Sequence, residues 1–138
     1  MTDRLDYEAL TRANERGVLA AERLGAPTVD GFPLRLNLEL TAECNIHCPM
    51  CQCELHRQRH RRLGVRDFHM PVETFRAIAK AAFPRVSIVN PSMVGEPLLL
   101  PYLDELIEQA LRHRVRLDIM TNGTLLSPAL SEIGRAHV

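Results

Sequence analysis

Leu34, Leu36, Leu38 and Leu40 alternate with Arg35, Asn37, Glu39 and Thr41, and the chain then runs at once into Cys44, Cys48, Cys51 and Cys53. A period of two is the mark of a strand with one buried face. The cysteines therefore belong to the loop at that strand's C-terminal end. The same strand-then-helix pattern recurs downstream. Pro71 opens a helix that places Phe75, Ile78, Ala79 and Ala82 at i, i+3, i+4 and i+7, and Pro84 stops it. Val86 to Val89 reads as a short buried strand and Asn90 to Pro97 as a loop. Pro101 opens a second helix with Leu103, Leu106, Ile107, Ala110 and Leu111 on one face, acids in its first turn and Arg112, His113 and Arg114 in its last, which suits the helix dipole. Val115 to Met120 is a third strand, Thr121 to Thr124 a turn, and Ser127-Pro128 starts a further helix. Strands alternating with helices predict an α/β fold whose parallel sheet has right-handed crossovers. Such folds build their sites from loops after the C-terminal ends of the strands. Three loops thus share one edge: the cysteine loop, Val94-Gly95-Glu96-Pro97 and Thr121-Asn122-Gly123.

Upstream, Thr2 to Leu24 reads as a helix weakened at Gly17, and Gly25 to Pro33 as a Gly/Pro-rich connection. Glu54 to His69 is polar and basic. We read its run His56 to Arg62 as a solvated loop, with recognition of an acidic or phosphate-bearing substrate as the competing reading. Formal net charge is +0, which gives no whole-chain field for nucleic acid or an anionic membrane. No apolar run approaches the roughly 18 to 20 residues of a membrane span. The polar start Met1-Thr-Asp-Arg-Leu-Asp6 contains no secretory apolar segment. We expect a cytoplasmic chain.

Cysteines packed this closely make a poor disulfide framework and a good metal site. The spacing C-x3-C-x2-C offers three thiolates, from Cys44, Cys48 and Cys51. On a [4Fe–4S] cluster, three thiolates leave one iron open, whereas ferredoxins fill all four irons with differently spaced cysteines. An open metal position is where chemistry takes place. Competing readings are a structural zinc site completed by Cys53 or His47, and a small iron–sulfur electron-transfer module with Cys53 as fourth ligand. Against zinc, no second cysteine pair or distal histidine pair follows at finger spacing. We read Cys53 as a bystander thiol.

Cys44-Asn-Ile-His-Cys-Pro-Met-Cys51, followed by Gly95-Glu-Pro-Leu-Leu99 and Thr121-Asn-Gly-Thr-Leu-Leu126, resembles the radical S-adenosylmethionine (SAM) superfamily across Leu34 to Leu126. Within it, the chain looks like the branch of SPASM-domain peptide maturases and molybdenum-cofactor and haem-modifying enzymes. The resemblance implies the N-terminal portion of a partial (β/α)6 TIM-like barrel. It implies a [4Fe–4S] cluster on Cys44, Cys48 and Cys51, with SAM on the open iron through its amino and carboxylate groups. It also implies reductive cleavage to a 5′-deoxyadenosyl radical that takes a hydrogen from a substrate. Gly95, Glu96 and Pro97 would hold the SAM ammonium, and Asn122 is a further cofactor candidate. Met50 stands where the family usually has an aromatic residue against the adenine, and Val94 where it usually has a first glycine. The implied partners are a reductant such as flavodoxin or ferredoxin and a substrate that is a peptide or small molecule. If the Gly95 loop meets the cofactor and not the metal, Gly95→Val spares iron binding.

We expect three segments: an N-terminal helix and linker over 1–33, a partial core domain over 34–131, and a tail over 132–138. The tail, Glu132-Ile-Gly-Arg-Ala-His-Val138, resembles translated sequencing-adapter DNA. With about three βα units, such a core is expected to bind a cluster without efficient turnover, since a radical needs an enclosed site.

Overall fold

The computed structural model describes residues 6–135, apart from the side chains at 52, 53 and 133–135. Strands β1 (Arg35–Asn37), β2 (Ile88–Asn90) and β3 (Arg116–Leu117) form a parallel sheet in the order β1-β2-β3. Leu36 lies opposite Val89 and Val89 opposite Leu117. The intervening helices are α2 (Gln52–Arg62) and α3 (Val72–Ala82) between β1 and β2, and α4 (Leu103–His113) between β2 and β3. Helix α1 (Tyr7–Arg23) precedes the sheet and α5 (Pro128–Arg135) follows it. This is the parallel α/β portion the residue pattern predicts. Of the expected helix over Thr2 to Leu24, Thr2 to Leu5 lie outside the described residues. So do residues 136–138 of the expected tail.

The leucine alternation behaves as read. Leu38 and Leu40 are buried while Arg35, Asn37 and Glu39 face out. Pairing runs past β1, with Leu38 N–H on the Asn90 carbonyl at 2.8 Å and Leu40 N–H on the Pro91 carbonyl at 3.0 Å. The core joins these leucines to Phe75, Ala79 and Phe83 of the α3 region, Val89 of β2, and Leu106 and Val115 around α4. The α3 stripe points into it, as do Leu103 and Leu106 of α4, whereas Leu111, expected on the same face, is exposed and His113 is buried instead.

One expectation fails. The basic stretch after the cysteines is not a loop: residues 52–62 form α2. It contains no glycine or proline and is rich in Gln, Glu, Leu and Arg, all good helix formers. Glu54 sits in its first turn and Arg59 to Arg62 in its last, as the dipole favours. The reading missed it because the helix has no apolar stripe. Among its described side chains the buried one is an arginine, Arg57.

Helix α1 packs at the end of the sheet away from the cysteines. Asn14 bonds the Phe32 backbone and the Arg85 carbonyl, Glu15 accepts from Ser87 at 2.6 Å, and Glu8 pairs with Arg114. These partners all precede β1, β2 or β3, so α1 closes the N-terminal edge of the strands and leaves the C-terminal edge to the loops.

Candidate cofactor site

The backbone leading into Cys44 is held by three separate neighbours. The Thr41 carbonyl accepts from Ser92 Oγ at 2.9 Å, the Ala42 carbonyl from Arg57 Nη1 at 2.8 Å, and the Glu43 carbonyl from Glu96 N–H at 2.6 Å. Strand β1 thus delivers the cysteines on a segment gripped by α2 and by the loop after β2. Gly95 is where that loop crosses. A Cβ there would lie 2.4 Å from the Thr41 carbonyl oxygen and 2.6 Å from that of Glu43, both backbone atoms that cannot swing aside. Only a glycine allows this approach. A larger residue at Gly95 would therefore press on the backbone segment that leads into Cys44. Glu39 braces the loop from outside, accepting from Ser92 Oγ at 2.7 Å and Met93 N–H at 3.2 Å.

Glu96 is 1 % exposed. Its Oε1 accepts from Thr121 Oγ1 at 2.7 Å and Leu98 N–H at 3.0 Å, and its Oε2 from Asn122 N–H at 2.7 Å. A buried carboxylate demands such partners. The side chain of Glu96 therefore binds the loop after β3 to the loop after β2. Pro97 is fully buried and begins a short 3₁₀ turn.

The third loop reaches the cysteines. Asn122 Nδ2 donates to Cys44 Sγ at 3.7 Å and to Asn45 Oδ1 at 2.9 Å, and Asn45 Nδ2 donates to Thr124 Oγ1 at 2.7 Å. Asn122 Oδ1 in turn accepts from Thr124 N–H at 2.9 Å, an Asx turn completed by Gly123 at φ 76°. Within the cysteine loop, Cys51 N–H bonds the Cys48 carbonyl at 3.0 Å, and Cys51 is the N-cap of α2. The positive end of the α2 dipole favours a thiolate there. Glu54 closes the loop, with its Oε2 3.2 Å from His47 Nδ1 and 2.7 Å from Arg57 Nη2. Hydrogen bonds from Gln58 and Arg57, with a smaller one from His47, hold the Glu54 carboxyl down to about 2.

Cys44, Cys48 and Cys51 are half-buried and in no disulfide. Among the described residues, no three His, Cys, Asp or Glu side chains lie close enough to share a single metal ion. The donor set nonetheless fits an anionic iron–sulfur group in its chemistry. It has three thiols on one loop, an amide donor on one sulfur and a helix N-terminus at another. The fold brings Asn122 to the Cys44 thiol and Gly95 and Glu96 to the backbone just before it, with Pro97 buried next in the chain, while Met50 stands 86 % exposed. Sequence reasoning missed Arg57, Glu54, Ser92 and Glu39. The pair Glu54–Arg57 at i, i+3 was the one readable signal, and it was hidden by reading the segment as a loop.

The radical SAM superfamily profile matches residues 38–138. The chain is 28 % identical over 103 residues to a tungsten-containing aldehyde ferredoxin oxidoreductase cofactor-modifying protein of Pyrococcus furiosus. That alignment covers 72 % of this chain and 28 % of that protein. It is 28 % identical over 143 residues to an S-adenosylmethionine-dependent nucleotide dehydratase of Lacinutrix mariniflava, covering 97 % of this chain and 28 % of that one. The fold superposes on SuiB of Streptococcus suis bound to S-adenosylmethionine with a TM-score of 0.58 at 22 % identity, over 92 % of this chain and 27 % of SuiB. The chain thus spans 28 % of the length of the curated relatives it matches. With the profile covering most of the sequence and the three motif loops meeting at one sheet edge, the chain belongs to the radical SAM superfamily.

Proposed function

We propose that the chain is the cluster- and SAM-binding part of a radical SAM enzyme's catalytic domain. Cys44, Cys48 and Cys51 hold three irons of a [4Fe–4S] cluster and leave the fourth to SAM. A cluster held there would supply one-electron reductive cleavage of SAM, the chemistry by which a hydrogen would be taken from a substrate. The chain's own residues position these groups. Both Glu96 oxygens are already engaged and the side chain is buried. The loop therefore meets the SAM ammonium through backbone carbonyls, which Gly95 allows to come close. Asn122 fixes Cys44 from the third loop. Met50, exposed beside the cysteines, is free to lie on an adenine as a polarizable apolar surface. A flavodoxin or ferredoxin serves as reductant, and the substrate is a peptide or small molecule.

The observation that carries this reading is the continuous path from the Glu43 carbonyl through Glu96 and Asn122 to Cys44 Sγ, which joins all three motif loops. Anaerobic reconstitution followed by EPR with and without SAM tests it. The reduced cluster should change its signal when SAM is added. Cys44→Ala, Cys48→Ala and Cys51→Ala should each lose the cluster, and Cys53→Ala should keep it. A signal indifferent to SAM, or a Cys53→Ala chain as depleted as Cys48→Ala, refutes the open-iron assignment.

A further inference from the structure

We propose that Arg57 is a positioning residue that sets the span of the cysteine loop, holding the loop's entry and exit together so that its three thiols can share one cluster. This rests on the reading of Cys44, Cys48 and Cys51 as cluster ligands.

Arg57 lies in a run of basic residues whose other side chains face solvent. It is 2 % exposed. Burying a guanidinium is costly unless its N–H groups are matched. Its partners are what give it a role. Nη1 donates to the carbonyl of Ala42, two residues before Cys44, at 2.8 Å. Nη2 and Nε donate to Glu54 Oε2, three residues after Cys51, at 2.7 and 3.2 Å. That same oxygen faces His47 Nδ1 at 3.2 Å, between the first two cysteines. Gln58 Nε2 holds the other Glu54 oxygen at 3.0 Å. One planar group thus bonds the strand end that delivers Cys44 and, through Glu54, the middle and far end of the loop. A lysine cannot reproduce this. Its single ammonium on a flexible stem has no fork to reach a carbonyl and a carboxylate in fixed directions. Groups that orient ligands in this way tune a metal centre's affinity, and nearby charge and hydrogen bonding tune its potential.

The test uses the full chain, reconstituted anaerobically with iron and sulfide, beside Arg57→Leu, Arg57→Lys and Cys48→Ala. Iron content, EPR signal, midpoint potential and far-UV circular dichroism are measured for each. Arg57→Leu should keep its helical spectrum yet take up cluster about tenfold more weakly, the low end of what loss of an orienting group costs. Arg57→Lys should recover part of the uptake, with a shifted potential and an altered EPR line shape. A merely stabilising arginine would lower the melting temperature and leave both of those unchanged. Wild-type uptake and potential in Arg57→Leu overturn the proposal. If that variant does not fold, wild-type uptake and potential in Arg57→Lys overturn it instead. A wild-type chain that takes up no cluster, or a Cys48→Ala chain that keeps one, refutes the cluster assignment and the clamp with it. Loss in Cys48→Ala with no change in either Arg57 variant refutes the clamp alone.

Discussion

Replacing Gly95 with alanine adds one methyl group at the tightest crossing in the site. The backbone at Gly95 has no positive φ, so alanine meets no torsional penalty and the effect is contact alone. The new Cβ would sit 2.4 Å from the Thr41 oxygen and 2.6 Å from the Glu43 oxygen, against ordinary contact beginning at 3.4 Å. The two loops must therefore part. Forcing a methyl group into packed surroundings costs about 1–3 kcal/mol. Parting strains the Glu96 N–Glu43 O bond of 2.6 Å and the Ser92 Oγ–Thr41 O bond of 2.9 Å. Each is worth roughly 0.5–1.5 kcal/mol net. The total is about 2–6 kcal/mol, and for a chain of this size its middle lowers the melting temperature by roughly 10–15 °C. Gly17→Ala is the matched control. Gly17 is exposed in the middle of α1, with nothing within 4 Å of an added Cβ. There alanine should raise stability by up to about 1 kcal/mol through helix propensity. Thermal unfolding of both variants, with iron uptake of Gly95→Ala, decides the matter. A Gly95→Ala chain that melts with the wild type and binds iron normally would refute the crossing as the device that seats Cys44.

Three further outcomes follow from particular contacts. Glu96→Gln turns an amide donor or a weaker acceptor toward Thr121 and Asn122, so stability should fall by roughly 1.5–3 kcal/mol, the worth of charged hydrogen bonds. Amide exchange at Asn122 should rise, and unchanged protection there would show that the Glu96 carboxylate does not hold that loop. Acid should loosen the chain through His113, whose pKa burial and then Arg112 hold below 6.5. The folded chain binds fewer protons at this site than the unfolded one, so the contribution is whole above the unfolded value and is lost as pH falls through the folded one. The urea midpoint should therefore drop less steeply between pH 7.5 and pH 5 in His113→Phe; equal slopes would acquit His113. Phe75→Ala empties a fully buried position that stacks on Tyr102 at 5.4 Å, and should cost about 3–5 kcal/mol by denaturant unfolding. A loss below 1 kcal/mol would contradict the core as described.

What the residues alone determined is local and repetitive. The alternation Leu34 to Leu40, the stripes Phe75 to Ala82 and Leu103 to Ala110, and the prolines that start and stop them record burial at periods of two and 3.6, and burial acts on each residue singly. Their order implied a parallel sheet, and a parallel sheet places the loops after its strands on one edge. The cysteine spacing, the Gly95 loop and the Asn122 turn were legible for that reason. The tertiary structure decided what depends on pairs far apart in the chain. Helix α2 was invisible because, among its described side chains, the buried one is an arginine, and a buried arginine leaves no apolar period. Glu96 read only as part of a loop around a SAM ammonium, and that its side-chain oxygens accept from Thr121 and Asn122 came from the tertiary structure. Gly95 read as a place for a cofactor to approach, and the nearest atoms to its missing Cβ are the carbonyls of Thr41 and Glu43. A hydrogen bond between residues 25 or 50 positions apart has no sequence period, because its partners meet only after the strands have aligned.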